Sequence, residues 1–596
     1  MVQSDGGLRI MGLSPEEASS NADARTTNAA LSPTMSDFGA REMSQAIPPS
    51  SESLSPAATT DPASPRVMNL AHLITQNARR FGDRVGFIWK ERTWTWKDID
   101  RNVTALAAAL AQRGIAKGDR ILIHSKNCDE MFWSMFAAFR IGAIWVPTNF
   151  RQMPGEIAEL AVQVDVKAFL CHGDFPDHAA AVAVAQPDLA FIWRIGAGSL
   201  GEDSLSHVIE THAGRPCPEA AVHHNDPCWF LFTSGTTGRS KATVLTHGQM
   251  AFVITSHLCD LMPGTTEADA SLVVAPLSHG AGVHQLCQVA RGVPTVLLPT
   301  ERFDPGEAFR LIEQHRITNM FTVPTILKMM VEHPSVDSRD HSSLRYVIYA
   351  GAPMYREDQK LALKKLGNVL VQYFGLGEVT GNITVLPPAL HTIDDGPDSR
   401  IGTCGVARTG MQVEIQDDNG KPVAPFETGE ICVIGPAVFV GYYNDPAANA
   451  QAFRNGWFRT GDLGHMDDEG FVYITGRASD MYISGGSNIY PRELEEKLLT
   501  HPAISEAAVL GMPDPFWGEV GIAVCVARPG VTVSEADIAS FLGEKVPRYK
   551  MPQRFLFWSE LPKSGYGKVP KRLIRAKLME LDRPGAAGEG AGGDGH

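Results

Sequence analysis

Short apolar stretches and longer amphipathic ones alternate along much of the chain. The stretch RILIHS at 120–125 has the length and composition of a buried strand, DEMFWSMFAAFRIGA at 129–143 is typical of a helix, and IWVP at 144–147 is again strand-like. A strand, a helix and a second strand in that order favour a parallel sheet covered by helices. The alternation therefore predicts an α/β fold class, and it returns in the stretches that begin at 271, 295, 320 and 344.

The length of the chain, 596 residues, predicts more than one domain, because a single hydrophobic core rarely extends over so many residues. We expect a large N-terminal α/β domain with parallel-type sheets at 67–478. Short strands separated by turn residues predict a β-rich subdomain within it, at about 400–475. Alternating strand-like and helix-like stretches beyond that point predict a small α/β C-terminal domain at 479–578.

The two ends of the chain differ in composition from the rest. Residues 1–66 are rich in Ser, Ala, Pro and Thr and carry few large apolar residues, so we expect a disordered N-terminal extension without a signal peptide. Residues 579–596 are rich in Gly and are expected to form a flexible tail.

Charge and cysteine usage restrict the partners and the compartment. A formal net charge of −14 disfavours binding to nucleic acid or to an anionic membrane. No apolar run approaches the roughly 20 residues that a membrane-spanning helix needs, so no integral membrane contact is expected. The nine cysteines occur singly, without a CxxC pair, which favours the reducing cytoplasm over a disulfide framework or a structural zinc site.

A glycine-rich segment, TSGTTGRSK at 233–241, follows a strand-like stretch. Downstream, Thr246 and Gln249 fit a capping box at the start of a helix, so the segment lies close to a strand end in an α/β sheet, where ligands commonly bind. Glycines allow backbone N–H groups to converge on an anion, hydroxyls add donors, and Lys241 adds a positive charge. On its own the segment fits a phosphate-binding loop and a plain connecting loop equally well. It is not a Walker loop, because two residues separate Gly238 from Lys241.

Four further motifs follow this segment in order. They are AGAPM at 350–354, YFGLGE at 373–378, WFRTGDLG at 457–464 together with GRASDMYISGGSNIYPRELEE at 476–496, and LPKSGYGKV at 561–569. With TSGTTGRSK, these motifs resemble those of the acyl-adenylate-forming (AMP-binding) superfamily, which comprises acyl-CoA synthetases, carrier-domain adenylation modules and luciferases. The resemblance extends from about residue 68 to 578, and its specificity comes from five motifs in the right order.

The resemblance implies an ATP-dependent acyl-CoA synthetase, an acid–thiol ligase whose C-terminal domain is mobile. The carboxylate of a small-molecule acid attacks the α-phosphorus of ATP, which gives acyl-AMP and pyrophosphate, and the thiol of coenzyme A then displaces AMP. Because a carboxylic acid is already ionised at neutral pH, the first step requires charge neutralisation and alignment, and no general base. The implied co-substrates are ATP and coenzyme A, and the implied metal ion is Mg²⁺.

In the superfamily the glycine-rich loop holds the β- and γ-phosphates of ATP, and the matching residues here are Thr233, Ser234, Gly235, Thr236, Thr237, Gly238 and Lys241. Glu378 matches the carboxylate that binds Mg²⁺, a hard cation that prefers oxygen ligands. Without the other motifs, Glu378 would be interpreted as a surface residue that caps a turn. The chain departs from the usual pattern at Gly377, where a Thr is common; this change removes a hydroxyl and is expected to enlarge the acid pocket.

The resemblance also assigns residues to the nucleoside. Phe374 matches the aromatic residue that lies against adenine, and Gly351 and Ala352 match the backbone that borders the base. Stacking suits a flat purine, although a core aromatic is the competing interpretation of Phe374. Asp462 matches the carboxylate that accepts hydrogen bonds from both ribose hydroxyls, and Arg477 matches a second contact to ribose or phosphate.

Lys568 matches the catalytic cation of the superfamily, whose ammonium stabilises charge at the α-phosphate; a solvated loop lysine is the alternative. Ser479 occupies the hinge about which the C-terminal domain rotates, where Asp or Lys is usual. Gly485 and Gly486 would line the channel for the pantetheine arm of coenzyme A. His279 matches a position that gates the acid pocket against the thiol channel, with a core histidine as the alternative.

Two other functions remain compatible with the sequence. One is an acyl-AMP ligase that loads a carrier protein. The other is a catalytically inactive nucleotide-binding homologue, which the departures at Ser240, Gly377 and Ser479 leave open and which the retained charged residues argue against, namely Lys241, Glu378, Asp462, Arg477 and Lys568. The acid is expected to be fatty, as in fatty acid metabolism, or aromatic, because the stretches that should border its pocket are mostly apolar or small and carry no Arg for a second carboxylate. The oligomeric state is left open, with a homodimer as one alternative.

Replacing Lys568 by Ala should separate the two half-reactions. We expect Lys568→Ala to slow acyl-AMP formation by about 100-fold or more, because a charge that stabilises the transition state is lost. Transfer to coenzyme A from supplied acyl-AMP should stay near the wild-type rate. Pyrophosphate release measures the first step and acyl-CoA formation the second, and an equal loss in both would contradict the assigned role.

Overall fold

The structure, a computed structural model, describes residues 67–196, 201–234, 240–352, 354–396, 399–477, 479–484, 487–563 and 569–581, with Ser234 described in its backbone alone. The predicted N-terminal extension lies outside these residues, and so does the predicted tail from residue 582 onward. The last described helix reaches Leu581, three residues into the segment expected as a tail.

The described strands are β1 Val85–Trp89, β2 Arg92–Thr95, β3 Arg120–His124, β4 Ile144–Pro147, β5 Ala168–His172, β6 Phe191–Ile195, β7 Pro227–Ser234, β8 Ser240–Thr246, β9 Ser271–Val273, β10 Thr295–Leu297, β11 Asn319–Thr322, β12 Tyr346–Tyr349, β13 Leu370–Phe374, β14 Thr384–Leu386, β15 Val406–Ala407, β16 Gln412–Gln416, β17 Gly429–Ile434, β18 Phe453–Arg454, β19 Trp457–Met466, β20 Val472–Arg477, β21 Tyr482–Ser484, β22 Ser487–Ile489, β23 Ile504–Asp514, β24 Gly518–Ala527 and β25 Arg554–Phe557.

The described α-helices are α1 His72–Phe81, α2 Trp96–Gln112, α3 Asp129–Arg140, α4 Pro154–Gln163, α5 Pro176–Ala185, α6 Leu205–Thr211, α7 His247–Asp260, α8 Gly280–Arg291, α9 Pro305–His315, α10 Pro324–Glu332, α11 Ser335–Ser338, α12 Arg356–Leu366, α13 Pro446–Ala452, α14 Pro491–Leu499, α15 Glu535–Gly543 and α16 Lys571–Leu581. Short 3₁₀ helices occur at Gly377–Val379, Pro388–Leu390 and Arg548–Lys550.

Two mainly parallel sheets form the larger part of the molecule. The nine-stranded sheet has the order β15-β14-β13-β12-β11-β9-β10-β1-β2, and its strands from β13 to β1 are parallel. The six-stranded sheet has the order β6-β5-β3-β4-β7-β8 and is parallel except for the pair β7 and β8. Parallel neighbours need crossover connections, and the intervening helices provide them. The predicted α/β fold class is confirmed.

Helix α3 belongs to the central core, and all of its residues are buried. The sequence of α3 is apolar on nearly every side, which is typical of a helix enclosed by other elements. Phe132, Trp133 and Phe136 of this helix belong to one apolar cluster that also includes Ile121 of β3, Phe87 of β1 and residues of α2 and α8. The two parallel sheets therefore share a core, which fixes the position of the loops at their edges.

Two smaller sheets complete the described chain. Strands β16 to β20 form an antiparallel five-stranded sheet over 412–477. Strands β21 to β25 form a second five-stranded sheet, in which only the pair β24 and β25 is parallel, and this sheet packs with α14, α15 and α16. The smaller domain expected after residue 479 therefore contains its own apolar clusters.

The cysteines and the helices bear on the expected compartment. All nine cysteines lie within the described residues; none is in a disulfide, and seven are buried. In the ranges given above, no helix has both the length and the apolar composition that crossing a membrane requires.

His247 begins helix α7 and is completely buried. Its Nδ1 accepts a hydrogen bond from the Leu70 amide at 3.3 Å, and its Nε2 has no hydrogen-bond partner among the described residues. Burial lowers the pKa of His247 to about 4; the carboxylate of Asp226 opposes this shift and the charge of Lys117 adds to it. The imidazole is therefore neutral in the folded protein at pH 7.

This lowered pKa makes stability depend on pH. As the pH falls, the unfolded chain takes up a proton near pH 6.5, whereas folded His247 takes it up near pH 4. The stabilisation is therefore complete above pH 6.5 and is lost between pH 6.5 and 4, with about 2 kcal/mol lost at pH 5. His247→Asn keeps an acceptor for the Leu70 amide and cannot be protonated, so its thermal midpoint should decline less steeply over this range. Equal slopes for the two proteins in calorimetry would contradict the assignment.

Candidate active site

The glycine-rich segment connects β7 and β8, which form an antiparallel hairpin. Thr233 pairs with Lys241, and Ser234 pairs with Ser240, so both ends of the segment are held by the six-stranded sheet. The sequence does not indicate β8, although it does indicate the capping box of α7, which is present at Thr246 and Gln249. The side chain of Ser234 and the predicted loop residues Gly235, Thr236, Thr237 and Gly238 lie outside the described residues.

Glu378 lies in the short 3₁₀ helix that follows β13, and only 6% of its surface is exposed. Its Oε1 accepts a hydrogen bond from Thr233 Oγ1 at 3.1 Å and another from Tyr442 Oη at 2.9 Å. Its main-chain oxygen accepts a hydrogen bond from the Phe439 amide at 2.8 Å. The structure thus brings together two predicted site residues, Thr233 and Glu378, and makes Glu378 a buried carboxylate, not a surface residue.

Gly377 allows the turn that carries Glu378 to approach strand β7 closely. A Cβ atom at Gly377 would lie 2.9 Å from side-chain carbons of both Leu231 and Thr233. Because these two side chains occupy the space that a Thr side chain would need, the close contact depends on glycine at this position; the expected enlargement of the acid pocket stays a prediction. The glycine permits contact between Thr233 and the carboxylate.

Tyr442 links the two charged residues of the site, and none of the sequence motifs includes it. Its hydroxyl donates to Glu378 at 2.9 Å, and the Nζ atom of Lys241 lies 4.9 Å from the centroid of its ring. Burial and then the negative charge of Glu378 hold the pKa of Tyr442 well above its ordinary value. The phenol therefore stays protonated and acts as a donor. The only sequence signal is a Gly-Tyr-Tyr run after a strand, which is typical of many turns.

Asp462 and Arg477 lie opposite each other on the neighbouring strands β19 and β20. Arg477 Nε donates to Asp462 Oδ1 at 3.0 Å, and Thr460 Oγ1 accepts a hydrogen bond from the Asp462 amide at 3.0 Å. Asp462 is 5% exposed, whereas the Arg477 side chain is 47% exposed. The structure therefore brings together Asp462, which the resemblance assigns to the ribose, and Arg477, which it assigns to the ribose or a phosphate.

Gly351, Ala352 and Phe374 follow or end adjacent parallel strands, β12 and β13. Gly351 is exposed and adopts a φ of 83°, in the left-handed region that favours glycine. Phe374 is half-buried and packs against two apolar clusters, so one part of its ring belongs to the core and another part is accessible to solvent. Because parallel strands end at one edge of a sheet, these three residues lie along the same edge.

The remaining predicted residues are more dispersed. His279 immediately precedes α8 and is half-buried, and its Nδ1 lies 3.0 Å from Ser278 Oγ. Ser479 is exposed between β20 and β21. Gly485, Gly486 and Lys568 lie outside the described residues.

An aromatic cluster adjoins β13 on the side of α7 and α8. Tyr373 stacks on Phe321 of β11 with ring centroids 5.9 Å apart, and His257 of α7 meets Tyr373 edge-on at 6.0 Å. His284 of α8 lies 6.4 Å from Phe321, and burial lowers its pKa to about 4. A Cβ atom at Gly381 would lie 2.4 Å from the Tyr373 ring, so a side chain at this position would displace the ring. Tyr373 itself keeps accessible surface.

The chain is similar to proteins of known family and known structure. Residues 74–443 match the sequence family described as AMP-binding enzyme, and residues 493–568 match the AMP-binding enzyme C-terminal domain. A feruloyl-CoA synthase from an Amycolatopsis species is 34% identical over 81% of this chain and 94% of its own length. An indoleacetate–CoA ligase from Aromatoleum aromaticum is 32% identical over 85% of this chain and 98% of its own length. The crystal structure of ATP-bound MatB from Rhodopseudomonas palustris superposes with a TM-score of 0.78 at 28% identity, over 87% of this chain and all of MatB.

Proposed function

The chain belongs to the AMP-binding enzyme family, and on that basis we propose that it is an ATP-dependent acid–CoA ligase. It activates a carboxylic acid as acyl-AMP with release of pyrophosphate, and then transfers the acyl group to coenzyme A. One observation carries the proposal: both residues that flank the glycine-rich loop are connected to the buried carboxylate of Glu378. Thr233 donates a hydrogen bond to it directly, and Lys241 contacts the ring of Tyr442, whose hydroxyl donates to the same carboxylate. A cation and a carboxylate next to such a loop suit a nucleoside triphosphate that binds together with a metal ion.

In the first half-reaction the charges near the hairpin act on the triphosphate. The ammonium of Lys241 neutralises phosphate oxygens, which lowers the cost of bringing an acid carboxylate to the α-phosphorus. Thr233 Oγ1 and Tyr442 both donate to Oε1 of Glu378, whereas Oε2 accepts no hydrogen bond from a described residue. Oε2 is therefore a suitable hard ligand for Mg²⁺, which when bound polarises phosphate oxygens. The loop residues proposed to complete the phosphate site are Ser234, Gly235, Thr236, Thr237 and Gly238.

We assign the nucleoside to the edge formed by β12 and β13 and to the pair β19 and β20. A Cβ atom at Gly351 would meet only Val323, at 3.9 Å, so the backbone at this position is open to a ligand. Phe374 supplies an apolar face for adenine, and Ala352 borders it. Asp462 accepts hydrogen bonds from ribose, and its contact with Arg477 fixes the orientation of its carboxylate.

The second half-reaction is proposed to require rotation of residues 479–578 relative to residues 67–478. The family matches end at residue 443 and resume at residue 493, which supports a boundary between them, and Ser479 is exposed within that interval. In this proposal Lys568 supplies charge during adenylation and withdraws before thiol attack. Gly485 and Gly486 line the pantetheine channel, and His279 separates it from the acid.

The compartment and the acid class are also proposals. The nine unpaired cysteines support a cytoplasmic location, and a homodimer remains a prediction.

The stacked rings of Tyr373 and Phe321 support an aromatic acid, because offset stacking favours flat substrates over flexible chains. Two relatives whose names include feruloyl-CoA and indoleacetate support the same class.

AMP release that depends on coenzyme A tests the central proposal. The protein is incubated with an aromatic acid, ATP and Mg²⁺, with and without coenzyme A, and AMP and acyl-CoA are measured. We expect sustained AMP release and stoichiometric acyl-CoA only when coenzyme A is present, because the thiol is needed to discharge acyl-AMP. Equal AMP release in both samples would favour a ligase that uses another acceptor, and no AMP with any acid would favour an inactive homologue.

Acid preference tests the aromatic proposal. A hydroxycinnamic acid and indole-3-acetic acid should be used with kcat/KM at least about 10-fold higher than octanoic or palmitic acid, since one good aromatic contact contributes up to about 1.5 kcal/mol. Tyr373→Leu should lower this preference while the variant keeps activity with octanoic acid. A preference for palmitic acid in the wild-type enzyme would contradict the proposal.

A further inference from the structure

One tyrosine contacts both charged residues of the proposed triphosphate site. The hydroxyl of Tyr442 donates to Glu378 Oε1 at 2.9 Å, and the Tyr442 ring centroid is 4.9 Å from Lys241 Nζ. In the described part of the chain, Lys241 forms no ion pair. The ammonium therefore interacts with the negative face of the ring, while the carboxylate interacts with the hydroxyl at the other end of the same side chain.

We propose that Tyr442 is a positioning residue that keeps Lys241 and Glu378 from neutralising each other before ATP and Mg²⁺ bind. This inference rests on the proposed function of the same site. An ammonium and a carboxylate that meet directly in a partly buried site attract strongly. Such a pair would occupy the groups that should receive phosphate and metal ion. An aromatic ring holds a cation without a formal counter-charge, so the cation remains available to an anion of higher charge.

The main chain around Tyr442 is fixed firmly enough for this role. The Tyr442 amide donates to Asn449 Oδ1 at 2.7 Å, and Asn449 Nδ2 donates to the Tyr442 carbonyl oxygen at 3.0 Å. On either side, the Val244 amide donates to the Gly441 carbonyl oxygen at 3.0 Å and the Tyr443 amide donates to that of Ala242 at 2.9 Å. The segment is thereby attached to β8, the strand that carries Lys241.

The same segment is also attached to the turn that carries Glu378. The Phe439 amide donates to the Glu378 carbonyl oxygen at 2.8 Å, and the rings of Phe439 and Tyr442 meet edge-on at 4.8 Å. Tyr442 thus belongs to a segment that bridges β8 and this turn. The Tyr442 hydroxyl faces a carboxylate oxygen at 2.9 Å, and since a carboxylate only accepts, the hydroxyl is the donor of this hydrogen bond.

Two substitutions separate the two contacts of Tyr442. Tyr442→Phe keeps the ring next to Lys241 and removes the donor to Glu378, whereas Tyr442→Leu removes both. Tyr443→Phe is the matched control, because the Tyr443 ring packs on Phe230 at 5.0 Å and contacts neither charged residue among the described contacts. The measured quantities are the Kd of ATP with and without Mg²⁺ by titration calorimetry, and the thermal midpoint of each protein.

We expect Tyr442→Phe to reduce the gain in ATP affinity that Mg²⁺ provides by about fivefold, with the Kd of metal-free ATP within twofold of wild type. Tyr442→Leu should also weaken metal-free ATP binding by about threefold, because without the ring the ammonium of Lys241 can pair with the carboxylate of Glu378. Tyr443→Phe should match wild type in both quantities.

Wild-type affinities in both Tyr442 variants, with only the thermal midpoint lowered, would overturn the proposal and leave Tyr442 a purely structural residue. An equal effect of Tyr443→Phe would overturn it too. Measurements of ATP binding and of AMP release by the wild-type protein distinguish a failure of this inference from a failure of the proposed function. A wild-type protein that binds ATP with Mg²⁺ and releases no AMP with any acid would refute the ligase activity, while the titrations would still decide the role of Tyr442. A wild-type protein that does not bind ATP would refute both.

Discussion

The site depends on the way in which the buried carboxylate of Glu378 is satisfied. A charged group with 6% of its surface exposed loses most of its hydration and needs hydrogen bonds in return. Thr233 and Tyr442 provide them from positions 145 and 64 residues away in the chain. One carboxylate therefore joins strand β7, the turn after β13 and the segment that precedes α13. Its position defines the distance between the loop cation, Lys241, and the oxygen proposed to bind metal.

The topology places these elements where they can meet. The strands of each parallel sheet end at one edge, and the enclosed helix α3 keeps the two sheets in a fixed relation, because all of its residues are buried. Gly351 and Phe374 reach their edge on adjacent strands. The hairpin of β7 and β8 departs from the parallel pattern and so returns Lys241 to a position opposite Thr233. The proposed site residues thus lie at the ends of strands, and the apolar core only holds those strands in place.

Local features of the structure follow from the sequence, and long-range contacts do not. The capping box at Thr246 and Gln249 is predictable because its members are three residues apart, and buried strands are recognisable from short apolar runs. Motif resemblance locates Lys241 and Glu378. It does not locate Tyr442, because the contacts of this residue come from distant parts of the chain that no periodicity connects. Strand β8 escapes detection for a similar reason: its first half is polar, and only its pairing with β7 makes it a strand.

The pair formed by Asp462 and Arg477 has a mechanical consequence for the proposed rotation of residues 479–578. Arg477 ends β20, and its side chain is tied to a carboxylate on β19. This contact holds the chain as far as residue 477, so the proposed pivot at Ser479 would adjoin a strand that is supported by an ion pair. A short pivot next to a fixed support converts small dihedral changes into a large swing of everything beyond it. A nucleotide bound to Asp462 would then further restrict the strand that precedes the proposed pivot.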